Sequence, residues 1–172
     1  MNGIAPAAGL ARRLAASAYE ALLLAALLLA IGFALLPLVT PGSIVASAPS
    51  PALYRMSASA RLLSGAVMLA ACGLYCGSLW SAGRRTLAMK TWHLVLRTSI
   101  GAQVGMKRAL VRYLACWAGP ALAIGGFAAL EPLGHARWSF ALLAFHYAWA
   151  LIDRDRQFFQ DRVAGTRLRV RQ

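Results

Sequence analysis

Five acids are all that this chain carries, and the first of them, Glu20, lies two turns inside an apolar segment. An acid within a membrane span is costly and by default a functional candidate, because hydrocarbon offers a carboxylate nothing to bond. Arg13 stands about 10 Å before it on the same helix face. It is expected to snorkel toward headgroup phosphates and away from Glu20. The carboxyl would then be satisfied by Tyr113, His146 or a serine of a neighbouring span, or would handle protons or cations. His146 is a candidate proton or ligand contact, since an imidazole titrates near neutrality, with a bond to a neighbouring helix as its plainer role. Asp161 falls in an arginine-rich segment and is expected to pair with Arg84, Arg85 or Lys90, pinning the tail to a loop. Gly73 and Gly77, one turn apart, are expected to form a helix-packing face where another backbone approaches closely.

No catalytic residues emerge. The 3 His, 3 Cys and 5 acids do not converge by spacing, and neither a nucleophile–base pair, a Gly-rich phosphate loop nor a metal-ligand pattern is visible. No cofactor, metal or enzymatic activity is expected. Cys72, Cys76 and Cys116 read as small apolar packing residues.

Composition explains why these few polar groups stand out. Counted with Gly and without Tyr, the apolar share is about 66%, against roughly 45–50% in soluble domains. Runs of 34, 22, 18 and 15 uncharged residues follow Glu20, Arg61, Arg112 and Arg137. A helical span needs about 20 apolar residues, with about 17 at the lower edge. The expected spans are 14–36, 62–80, 113–130 and a marginal 136–152. Pro37 should end the first, and Gly119-Pro120 should kink the third. Pro41, Gly42, Pro49 and Pro51 suit the loop between the first two. Ala46-Ser47-Ala48 imitates a signal cleavage site, but Pro49 argues against cutting there.

Of the 18 cations, 2 precede the first span, 2 fall between the first and second, 7 between the second and third, 1 between the third and fourth, and 6 follow. Lys and Arg collect on the cytoplasmic side. Four crossings with both termini inside place 15 of the 18 there, with a cytoplasmic loop 81–112 and tail 153–172. Three crossings would leave the six tail arginines outside. A net charge of +13 distributed in this way implies anionic lipid headgroups and excludes a nucleic-acid-binding face. Within the cytoplasmic parts, residues 91–97 and 166–171 alternate apolar and basic side chains. Each suggests a short strand. Paired, they would turn Trp92, Leu94, Leu96, Leu168 and Val170 to the membrane and the arginines outward.

Three motifs occur in order: Arg13, Ala16 and Glu20 within ARRLAASAYEALLL; Thr86, Met89, Lys90 and Trp92 within GRRTLAMKTWHLVL; and Asp161, Arg162, Ala164, Gly165 and Thr166 near the end. In these the chain resembles the RDD family of bacterial membrane proteins, in its proteobacterial version, over nearly its whole length. Glu20 replaces the family's aspartate, Arg85 a loop Gln, Ala88 a loop Gly, and Gln160 a His. The resemblance implies a single membrane domain over 1–172 in the bacterial inner membrane; with the cation split and the alternating segments, the expected fold is an all-α membrane protein of four transmembrane helices with a short cytoplasmic β-pair. Its motif residues would be Arg13, Glu20 and Asp161. It also implies transport of an unidentified ligand, or cation–proton exchange. With only four spans, such a pathway calls for a homo-oligomer or a membrane partner. The alternative is a scaffold or accessory subunit that uses the basic loop and tail.

Overall fold

A computed structural model describes residues 7–39 and 57–171. The helices are α1 (Leu10–Val39), α2 (Ala58–Trp80), α3 (Leu87–Thr91), α4 (Met106–Cys116), α5 (Ala118–Leu130), α6 (Phe145–Ile152) and α7 (Phe159–Ala164). The strands are β1 (Leu94–Thr98) and β2 (Thr166–Val170). Three helical stretches are long and apolar enough to cross a membrane: Leu10–Val39, Ala58–Trp80 and Met106–Leu133. The prolines and the cleavage-like tripeptide expected between the first two lie outside the described residues. α1 runs through Pro37 to Val39, so the proline does not end it.

The chain divides into two compact units. One, Ala21–Leu74, takes most of α1 and α2, whose large apolar side chains, such as Leu22, Leu29, Phe33 and Leu62, stand exposed as lipid-facing residues would. In it Gly32 lets Met68 approach; a Cβ there would lie 3.5 Å from Met68 Cε. The other unit, Met1–Glu20 with Tyr75–Gln172, contains everything that positions the polar residues.

In that second unit, β1 and β2 pair antiparallel, Leu94 opposite Val170 and Thr98 opposite Thr166. The expected ribbon therefore forms, with two corrections. Trp92 caps α3 and His93 takes a positive φ of 51°, so the strand starts only at Leu94. The apolar face does not turn to the membrane: Leu94, Leu96 and Leu168 are buried in the protein, because β2 runs directly out of α7 and the helix before β1, α3, carries the buried Ala88 and Met89. A third segment joins the ribbon, the Ala8 amide donating to the Leu168 carbonyl at 3.1 Å. Gly165, at φ 61°, makes the turn from α7 into β2, a left-handed conformation that suits glycine.

The third span starts earlier than expected, at Met106, and breaks at Trp117. Pro120 is the reason. It has no N–H, so the Cys116 carbonyl loses its helical partner. Segment 136–152 is not one α-helix: Ala136–Ala144 is 3-10 and only Phe145–Ile152 is α-helical. It runs back along α5 on a stripe of small residues, Gly119, Ala123 and Gly126. A Cβ on Gly119 would lie 3.1 Å from His146 Nε2 and 3.2 Å from the Leu143 carbonyl, and one on Gly126 only 2.9 Å from Leu142 Cδ1. This stripe went unnoticed in the sequence although its spacing was legible. At the expected glycine face, Gly73 is buried, and Gly77 does admit another helix: its Cβ would lie 3.3 Å from Met106 Sδ of α4.

Gly119→Ala should lower thermal stability in detergent, by the roughly 1–3 kcal/mol that overpacking costs, because a backbone carbonyl cannot yield. Gly125→Ala, whose Cβ meets nothing within 4 Å, should be neutral or mildly stabilising on the same helix. Equal loss in both variants would mean that the stripe is not a packing face.

Candidate functional site: a buried arginine–aspartate centre

Asp161 lies in α7, a helix of six residues that ends at Gly165. Its carboxyl is 1% exposed, the most secluded charge among the described residues. Arg112 Nη2 reaches Oδ1 at 3.1 Å, and the Thr166 hydroxyl donates to the same oxygen at 3.3 Å. The Asp-Arg-x-Ala-Gly-Thr motif is thus one device: a helix end whose αL glycine swings the threonine back onto the aspartate. Burial pushes the Asp161 carboxyl above the usual carboxylate range, while Arg112, Arg13 and Thr166 pull it down.

Arg112 is not the cation foreseen for Asp161. Arg84 instead reaches the Ser81 hydroxyl at 3.4 Å, and Lys90 is exposed at the end of α3, whose N-cap Thr86 accepts from the Met89 amide at 3.2 Å. α4 turns Arg112 inward together with Ala109, and its guanidinium lies 4.5 Å over the Trp80 ring. In the sequence Arg112 only marked the edge of an uncharged run. The missed signal was its company: Ala109 three residues before and Cys116 four after, the setting that Ala16 gives Arg13.

Arg13 does not snorkel outward. It is 6% exposed, donates from Nη2 to the Arg156 backbone carbonyl and lies 4.9 Å over the Phe158 ring. The physical reason is local: the loop after α6 folds beneath the start of α1, and its carbonyl and ring offer Arg13 a site inside the protein. That loop is held by its own acids. Asp153 accepts from the amides of Asp155 and Gln157, and Asp155 pairs with Arg162 at 3.1 Å and Arg167 at 2.6 Å.

Glu20 lies further along the face of α1 that buries Arg13 and Ala16, bonded to the Tyr75 side chain. His146, one of the expected partners, bonds elsewhere, and the Glu20 Oε1 is buried with no hydrogen-bond partner among the described residues. Another bond ties α1 to α6, between the side chains of Ser17 and Tyr147. His146 serves the helix break. Its Nε2 lies 2.7 Å from the Cys116 carbonyl and 3.2 Å from the Gly119 nitrogen, and the shorter contact fits an Nε2–H donor replacing the N–H that Pro120 lacks. Nothing connects it to Glu20. Among the described residues no three of His, Cys, Asp and Glu come together as a metal site would require.

The structure therefore brings Arg13 and Asp161 into one neighbourhood, adds Arg112, and leaves Glu20 and His146 in separate settings. Asp161→Asn should strand the Arg112 charge and cost about 3–5 kcal/mol. Trypsin should then cut after Arg167 or Arg169 faster, since β2 runs directly out of α7. Adding Arg112→Met to that variant should recover part of the loss. A double variant no more stable than Asp161→Asn alone would show that the two side chains are not coupled.

Comparison with curated proteins and with solved structures finds no match for the chain. A model of the RDD family matches residues 7–165, a stretch that takes in Arg13, the loop with Thr86 and the helix end with Asp161. That match, together with three apolar helices of spanning length, fits a membrane protein. By a match over most of its length, the chain belongs to the RDD family.

Proposed function

We propose that this is a multi-pass inner-membrane protein with four crossings and both termini in the cytoplasm, whose loop and tail form one cationic platform that holds an acidic partner or anionic headgroups. The β1–β2 ribbon carries this reading. It joins the chain before α4 to the chain after α6, so whatever leaves along α4 and α5 returns along 136–152. The length suffices. Nine 3-10 residues at about 2.0 Å and eight α residues at about 1.5 Å reach about 30 Å, the thickness of the hydrocarbon core, where an all-α segment would fall short. The 15-to-3 division of cations supports the same orientation. The Arg112–Asp161 pair is buried on both sides, which suits a rigid platform better than a moving gate.

A second reading, cation–proton exchange by an oligomer, rests on Glu20, whose Oε1 is buried on a candidate span with no hydrogen-bond partner among the described residues. Neither reading includes catalysis.

A reporter fused after Gln172 should be cytoplasmic and a tag near Ser47 periplasmic; a periplasmic C-terminus overturns the four crossings. Membranes should retain an acidic soluble protein in a salt-sensitive way that Arg84→Gln, Arg85→Gln and Lys90→Gln together abolish. In proteoliposomes the platform reading expects no dissipation of a pH gradient by any cation. Dissipation that Glu20→Gln abolishes, while the variant still folds and inserts, would replace it with exchange.

A further inference from the structure

The geometry points to a binding site for a phosphate-bearing anion in the cavity of about 340 Å³ between the start of α1, the 154–157 loop and β2, with Arg13 at its wall and Arg154, Arg156 and Arg167 around it. The argument starts from charge. Arg13 is buried, yet its hydrogen bond goes to a neutral carbonyl and its other contact is the face of Phe158. No acid of this chain makes a direct ion pair with it; Asp161 and Asp153 act on its charge only from beyond ion-pair distance. All five acids are among the described residues, and Asp161 pairs with Arg112, while Asp153 and Asp155 pair with Arg162 and Arg167. Glu20 sits two turns further along α1 bonded to Tyr75, and Glu131 ends α5. A buried cation whose nearest acids are shared with other arginines is only partly compensated, and an anion supplied from outside completes the balance.

The cavity is suited to supply one. Arg154 and Arg156 are exposed at its rim and take no part in the ion pairs of their loop. Gly9 and Leu10 line it too, so the N-terminal end of a 30-residue helix, the positive end of its dipole, borders the same space. Guanidinium groups match phosphate oxygens in fork geometry, which makes phosphate the fitting anion. Asp161 and Asp155 also border the cavity, but Asp161 is paired with Arg112 and Asp155 with Arg167, which leaves the guanidiniums of Arg13, Arg154 and Arg156 in excess. The phosphate is either a lipid headgroup or a free soluble ion. The lipid source rests on the platform reading, which sets this end at a membrane face; the anion site itself does not.

The test uses full-length protein in a neutral detergent. Inorganic phosphate should raise its melting temperature in a saturable way beyond chloride at equal ionic strength. Arg154→Gln with Arg156→Gln, both exposed and safe for folding, should weaken that binding about tenfold, the loss of roughly one charge-assisted hydrogen bond. Arg84→Gln with Arg85→Gln should leave it unchanged. A second arm replaces inorganic phosphate by mixed micelles of phosphatidic acid, compared with phosphatidylcholine. Saturable protection by phosphatidic acid alone assigns the site to a headgroup, and protection by inorganic phosphate as well assigns it to the phosphate group whatever its source. No protection in either arm, or protection equal in both double variants, overturns the site. The platform reading fails separately, through salt-insensitive retention of the acidic protein, which leaves this measurement untouched.

Discussion

Everything polar at this end of the molecule depends on the burial of Asp161 against Arg112. A buried ion pair gains little net stability, because desolvation offsets most of its Coulomb attraction, but one partner without the other is strongly destabilising. The pair therefore acts as a register. α4 and α7, separated by more than forty residues, have one arrangement in which neither charge is stranded. With α7 fixed, Gly165 and Thr166 set the start of β2, and β2 sets its pairing with β1 and with the chain at Ala8. Three sequence-distant segments are thus gathered by a single contact between two side chains that are 6% and 1% exposed.

A second constraint, independent of the first, comes from Pro120. The missing amide orphans the Cys116 carbonyl within a stretch apolar enough to cross a membrane, where hydrocarbon would offer it no donor. His146 supplies a replacement donor from the returning segment, and Gly119 admits the ring by having no side chain. The histidine thus acts as a fastener for two helices, which removes the reason to see it as half of a proton relay with Glu20. The cost of a broken helix and the benefit of a close helix pair are settled at the same residue.

Glu20 differs from Asp161 in having no ion-pair partner among the described residues. Tyr75 meets one side of its carboxyl and nothing among the described residues meets Oε1. A carboxyl in an apolar helix with no cation beside it among the described residues keeps the exchange reading worth testing beside the platform.

The sequence by itself determined the apolar helices, the alternation that makes two strands, and the residues of the three motifs. These are local properties, written in runs, periods and spacings of neighbouring residues. It also made Glu20 and Asp161 stand out, since a rare acid in an apolar or basic setting is conspicuous without any fold. Which cation meets Asp161, whether Arg13 turns outward or inward, and which donor serves Glu20 or Cys116 were decided only by the tertiary structure. Eighteen cations offered too many partners for one aspartate. The choice fell on Arg112 because α4 presents it on a face with Ala109 that packs against α7, a fact of three-dimensional placement to which sequence distance gives no guide.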